Sequence, residues 1–319
     1  MHCIYYTGGT TGVPKGVMLS HDNLMISALG SLATGNVLTP RGRLLHAAPM
    51  FHLAGLASWV SGQLVGSTHV FVPMFTSSGV LEAVARHQVT DLMLVPTMIQ
   101  MLVDHPGVGD YDLSSVRRLF YAATPISEAV LRRAVKTFPG AGFTQGYGMT
   151  ELSPTATLLG PEDHEVEALR RSAGRAAPHA EVRIADENDL EVPLGTVGEV
   201  VVRGDHVMLG YWNRPDETAT ALRGGWMHTG GRRVRVARVL PRAHRVQGAA
   251  QRGVRRRAAD VRRGQSSNRS CARPTGSARA SRSTERGSGE GSPELRRAQQ
   301  RSAGVRDRDQ HDPTGPVQL

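Results

Sequence analysis

The 319 residues allow two domains, and the formal net charge of +10 is confined to one end: up to Gly231, 14 Arg and 2 Lys face 21 acidic residues. The basic balance therefore says nothing about the partners of the first 231 residues. Two cysteines at opposite ends, Cys3 and Cys271, exclude a disulfide framework or a metal-site spacing; with no leader pattern and no apolar stretch of bilayer length, a cytoplasmic protein is expected.

In chain order, the apolar run Ile4–Tyr6 predicts a strand entering the loop Thr7-Gly8-Gly9-Thr10-Thr11-Gly12-Val13-Pro14-Lys15-Gly16. Glycines let a backbone curl so that successive N–H groups point into one concavity. The hydroxyls of Thr7, Thr10 and Thr11 and the Lys15 ammonium add donors and charge. Polyphosphate is the natural guest of such a nest, and a flexible surface turn is the alternative. The spacing is not that of P-loop NTPases, because Pro14 precedes the lysine and Gly16 follows it. Ser20 or Asp22 then predicts the N-cap of a helix bearing Leu24, Met25, Ala28 and Leu29.

Further on, strands are expected at Arg43–Ala48, Thr68–Val72, Asp91–Val95 and Arg118–Ala122, alternating with helices at Leu53–Leu64, Gly79–His87, Thr97–Val103 and Ser127–Phe138. In the first of these helices Leu56, Trp59, Val60 and Leu64 share a face, which predicts core packing. The short, unalternating apolar strands suit a sheet covered on both faces, so the fold class is α/β with a doubly wound, mostly parallel sheet. Ligands in such folds sit beyond the carboxyl ends of the strands, where the Gly/Thr loop, Tyr121–Pro125 and the Tyr147 region are expected. From Glu181 the pattern changes to strands, Glu181–Ala185 and Gly198–Arg203. The organisation is thus 1–175 α/β, 176–231 a small β subdomain and 232–319 a basic tail.

A second constellation is Thr144-Gln145-Gly146-Tyr147-Gly148-Met149-Thr150-Glu151. It offers an aromatic face to stack on a base, a hydroxyl for a phosphate and a carboxylate for Mg²⁺; a turn with a packed Tyr and a solvated Glu is the plain alternative. Taken together, TGGTTGVPKGV and QGYGMTE resemble the phosphate loop and the adenine-and-magnesium motif of the adenylate-forming, AMP-binding superfamily. The resemblance implies ATP, Mg²⁺ and coenzyme A as cofactors and a carboxylic acid as substrate. It implies that Thr7–Gly12 and Lys15 hold phosphates, that Tyr147 and Gly148 lie on the adenine, that Thr150 contacts the α-phosphate and that Glu151 ligates Mg²⁺. Thr150, Glu151 and Lys15 are the implied catalytic residues. Ala123-Thr124-Pro125 corresponds to the family's wall beside the adenine.

His52 follows Met50-Phe51, where a histidine is either a packed residue or a site residue. PMFHLAGL is similar to acyl-CoA synthetases, in which this histidine borders the acyl pocket, and Gly146 is assigned to the same pocket. The closest texture is that of fatty-acid–CoA ligases. The implied alternatives are an acyl-AMP or aryl ligase, or a non-catalytic remnant with a basic tail.

The resemblance covers residues 4–230. At Gly231 the family's Thr-Gly-Asp motif loses its ribose-binding aspartate, and no lysine follows Lys136. Residues 232–319 hold 22 Arg against 7 acidic residues, with no Phe, Trp, Tyr, Ile or Met, a composition expected to be disordered. The abrupt change resembles out-of-frame translation. An arginine-rich tail that binds nucleic acid non-specifically is the competing reading, although no aromatic residue is there to stack on bases.

Overall fold

The computed structural model describes residues 3–7, 13–193 and 196–235, the last five by their backbone. The expected tail beyond Arg235 and the loop residues Gly8, Gly9, Thr10, Thr11 and Gly12 lie outside the described residues.

The chain opens with β1 (Cys3–Thr7), β2 (Lys15–Leu19) and α1 (His21–Leu32). Ser20 is the N-cap of α1: its hydroxyl accepts from the Asn23 N–H at 3.0 Å, while the Asn23 side chain accepts from the Ser20 N–H at 2.8 Å. Both exchanges satisfy donors that the first helical turn otherwise leaves unpaired. Next come β3 (Arg43–His46), α2 (Leu53–Val65), β4 (Thr68–Phe71), α3 (Ser77–His87), β5 (Asp91–Leu94), α4 (Pro96–Val103), β6 (Arg118–Tyr121) and α5 (Glu128–Thr137). They are followed by β7 (Gly142–Tyr147), β8 (Thr157–Leu159), α6 (Pro161–Glu165), β9 (Arg175–Ala176), β10 (Glu181–Ala185), β11 (Val197–Arg203), β12 (Gly210–Tyr211), α7 (Pro215–Ala221) and β13 (Met227–Arg235).

Seven strands form the main sheet in the order β4-β3-β5-β6-β7-β8-β9, parallel from β4 to β7 and antiparallel at β8 and β9. Neighbouring strand residues point to opposite faces. Leu44 and Phe120 accordingly join one apolar cluster, whereas Leu45, Leu119 and Tyr121 join the other. The second cluster carries Val80, Leu81 and Val84 of α3, Ile99 and Leu102 of α4, and Leu131 and Ala134 of α5. The sheet is covered on both faces, as the unalternating strands predict.

Two expectations are corrected. The Gly/Thr loop, expected beyond the carboxyl end of a strand of the parallel sheet, is not flanked by strands of that sheet. It joins β1 to β2 in an antiparallel hairpin, with Thr7 opposite Lys15 and Tyr5 opposite Val17, and β12 completes this three-stranded sheet by pairing with β2. Helix α2 does not bury Trp59 and Leu64, which remain 39% and 38% exposed. It buries Leu53, Gly55, Ser58, Ser61 and Gly62 instead. The reason is close approach: a Cβ on Gly62 would run into the His69 ring and Leu44, so small residues face the sheet.

The third sheet is β10-β11-β13, antiparallel throughout, and its last strand continues to Arg235, opposite Val197. Four residues assigned to the tail therefore lie in a strand, three of them paired with β11. Its residues Ile184, Val200, Val202 and Met227 share a cluster with Val17 and Leu19 of the hairpin, so the apolar core runs across the expected boundary at residue 176.

Candidate functional site

The carboxyl ends of β6 and β7 border a cleft of about 1020 Å³. Its walls include Ala123, Thr124 and Pro125 after β6, Gly146, Tyr147 and Gly148 at the end of β7, and Val182, Ile184 and Val200 from the third sheet. The expected adenine wall and the expected stacking tyrosine thus line one space. Backbone demands shape it. Ala123 holds a positive φ of 80°, a region L-residues avoid. A Cβ on Gly146 would overlap the Phe120 ring, and one on Gly148 would overlap the Pro154 carbonyl.

Tyr147 is half-buried. Burial raises its phenol pKa, a hydrogen bond with Thr229 opposes this, and the Glu199 charge adds to the rise. Glu199 is a residue the motif reading missed. It accepts from the Gly230 N–H at 2.8 Å and lies 3.0 Å from His228 Nδ1. Burial would raise its carboxyl pKa, but those hydrogen bonds and the charges of His228 and Arg223 outweigh it and hold the group below its ordinary value.

Past β7, Thr150 opens a short 3₁₀ turn and Glu151 follows, only 4% exposed. Glu151 Oε1 accepts from the Tyr211 hydroxyl at 2.9 Å, and its backbone carbonyl accepts from the Met208 N–H at 2.9 Å. Burial, then the Glu151 carboxylate, push the Tyr211 phenol pKa well above its ordinary value, so it stays a donor. Lys15, the first residue of β2, sets its ammonium 4.9 Å from the centroid of the same ring. Lys15, Tyr211 and Glu151 are therefore joined, while Thr7 ends β1 opposite Lys15.

A buried carboxylate is costly unless a cation or hydrogen bonds compensate it. Among the described residues Glu151 accepts one hydroxyl and makes no ion pair, which leaves carboxylate lone pairs for a hard divalent cation such as Mg²⁺; no cluster of three or more carboxylate, histidine or cysteine side chains is there to complete such a site, so phosphate and water would supply the other ligands. His52 stands elsewhere. It is the exposed N-cap of α2 with its ring 4.6 Å from that of Phe51, and it is not among the residues lining the cleft. His52 and Gly146 are not brought together there.

The AMP-binding enzyme family matches residues 1–212. The chain belongs to this family. Feruloyl-CoA synthase from Amycolatopsis sp is 40% identical over 228 residues, 71% of this chain and 45% of that protein. Medium/long-chain-fatty-acid–CoA ligase FadD8 from Mycobacterium tuberculosis is 37% identical over 226 residues, 70% of this chain and 39% of that protein. Among solved structures, the amide bond synthetase McbA from Marinactinospora thermotolerans superposes with a TM-score of 0.66 at 34% identity, covering 71% of this chain and 45% of that one. The chain spans less than half the length of these relatives. Among the described residues of this family member, no helix is long and apolar enough to cross a membrane.

Proposed function

We propose that the chain carries the ATP-binding half of an acid–CoA ligase, which joins a carboxylic acid to AMP before thioester formation with coenzyme A. The observation that carries this reading is the meeting of the Ala123–Pro125 wall and Tyr147 in one cleft, with the buried Glu151 four residues beyond that tyrosine. Tyr147 and Gly148 would hold the adenine, Thr150 the α-phosphate, and Thr7–Gly12 with Lys15 the outer phosphates. Glu151 would hold Mg²⁺, which when bound neutralises phosphate charge. In the first step a carboxylate oxygen bonds to the α-phosphorus and the bond to pyrophosphate breaks; the chain's own contribution is positioning and fixed positive charge. In the second, the CoA thiol displaces AMP. The reading carries with it a cytoplasmic setting.

We assign a fatty acid as the substrate, on the likeness of PMFHLAGL and the QGYGMTE region to fatty-acid–CoA ligases. The similarity to feruloyl-CoA synthase favours a second reading, an aryl acid. Gly231 offers no carboxylate to the ribose, which is expected to weaken ATP binding by about 1–3 kcal/mol without abolishing it. The test is pyrophosphate release by the purified chain with Mg·ATP and a panel of fatty and hydroxycinnamic acids. Fatty-acid-dependent release supports the first reading and hydroxycinnamate-dependent release the second. No ATP binding at millimolar nucleotide would sink both.

A further inference from the structure

We infer that Tyr211 is a positioning residue for the nucleotide centre, steadying the Glu151 carboxylate with its hydroxyl and the Lys15 ammonium with its ring. The inference rests on the nucleotide reading above and extends it to a residue outside both motifs.

The geometry singles this side chain out. Its strand, β12, is two residues long, yet it is tied down on several sides. The Trp212 N–H donates to the Gly16 carbonyl at 2.7 Å and the Leu209 N–H to the Met18 carbonyl at 2.9 Å, which fixes β12 on the strand that begins with Lys15. The Met208 N–H donates to the Glu151 carbonyl at 2.9 Å, which fixes the same segment on the turn that carries the carboxylate. The Tyr211 N–H donates to Thr218 Oγ1 at 2.9 Å. A ring on so constrained a backbone, 8% exposed, has little freedom to move.

The two ends of that ring carry different chemistry. The hydroxyl donates to Glu151 Oε1 in a charge-assisted bond, the kind that sets a carboxylate's rotation. The ring face takes the Lys15 ammonium through its quadrupole. A cation and an anion are thus engaged by separate parts of one rigid side chain. Partners that orient a metal ligand are commonly worth ten- to a hundredfold in metal affinity, about the size expected here.

The experiment measures Mn²⁺ binding to the ATP-saturated full chain by electron paramagnetic resonance, beside ATP binding without metal. Tyr211→Phe keeps the ring and loses the hydroxyl: Mn²⁺ affinity is expected to fall about tenfold while metal-free ATP affinity stays within about twofold. Tyr211→Leu is expected to weaken metal-free ATP binding as well, because Lys15 loses its seat. In a Glu151→Gln background, Tyr211→Phe is expected to change nothing further, an outcome a general packing role would not produce. As a measurement that does not depend on the variants folding, 3-fluorotyrosine at position 211 is expected to shift its ¹⁹F resonance when Mg²⁺ is added to the ATP-bound chain. Wild-type Mn²⁺ affinity in Tyr211→Phe, an undiminished effect in the Glu151→Gln background, or an unmoved resonance each overturns the inference alone. A wild-type chain that binds no Mn²⁺·ATP overturns the nucleotide reading, and this inference with it.

Discussion

At the carboxyl edge of the seven-stranded sheet, the candidate centre is shaped by backbone: Ala123 at φ 80°, Gly146 under the Phe120 ring, Gly148 against the Pro154 carbonyl. In the three-stranded sheet β1-β2-β12 it is shaped by side chains, Lys15 over Tyr211 and Tyr211 on Glu151. The first region constrains what can be added and the second what can be removed. Substitutions that enlarge should be felt through folding in the parallel sheet, and substitutions that delete a polar atom should be felt through ligand binding in the hairpin sheet.

Acid is expected to produce the largest effect, through two histidine pairs, one on adjacent strands of the parallel sheet and one that includes the segment leading into β12. His46 and His69 of β3 and β4 lie 2.7 Å apart, Nε2 to Nδ1, and His46 is lowered to about 4 by burial and then by His69. His206, in the segment before β12, is fully buried, with both ring nitrogens lacking a hydrogen-bond partner, and is lowered to about 2 by burial and then by His179. Both are neutral when folded and take up a proton when unfolded below pH ~6.5, so the unfolded state binds more protons and acid destabilises. Stability is expected to be full above pH ~6.5 and to fall by on the order of 3 kcal/mol per histidine by pH ~4. Below that the His46 loss levels off and the His206 loss continues. Urea unfolding between neutral pH and pH ~4 should show a shallower slope in His206→Phe; an unchanged slope would assign the acid sensitivity elsewhere.

Next in size is Gly148→Ala. A Cβ there meets a backbone carbonyl that cannot rotate away, so a loss of about 2–3 kcal/mol is expected. Equilibrium denaturation measures it, and a loss under ~0.5 kcal/mol would show that the turn is softer than the comparison holds.

The smallest effect should be a gain. Ala123→Gly relieves a left-handed alanine, worth ~1–2 kcal/mol, against ~0.5–1 kcal/mol of added chain entropy in the unfolded state. A net stabilisation of about 0.5–1 kcal/mol is expected by thermal melting. Destabilisation would mean that the alanine methyl contributes packing that outweighs its backbone strain.

The same contrast explains what could be read in the sequence. The Thr7–Lys15 and Gln145–Glu151 motifs are contiguous, and the alternating strands and helices from Arg43 to Thr137 follow from period and breakers, so the parallel sheet was legible. Strand β2 was not: Lys15-Gly16-Val17-Met18-Leu19 looks like the exit of a loop until Tyr5 and Tyr211 are known to flank Val17. Periodicity misled in α2, where Leu56, Trp59, Val60 and Leu64 mark an apolar face but the approach to His69 and Leu44 admits only small residues. Tyr211 stands 60 residues from Glu151, and no local pattern of hydroxyls or spacing announces that hydrogen bond.

The pairing of β2 with β12 carries a consequence for the order in which the chain folds. The Trp212 N–H reaches the Gly16 carbonyl only after nearly the whole described chain has been threaded between them. The entropy of closing so long a loop is recovered only when the contacts at its ends form, which makes this pairing a late event. On a ribosome, the parallel strands β3 to β7 emerge and can assemble while β2 still waits for its neighbour. Lys15 and Glu151 would then acquire their shared ring last, so on the proposed function nucleotide binding would mark the completion of folding rather than one of its intermediates.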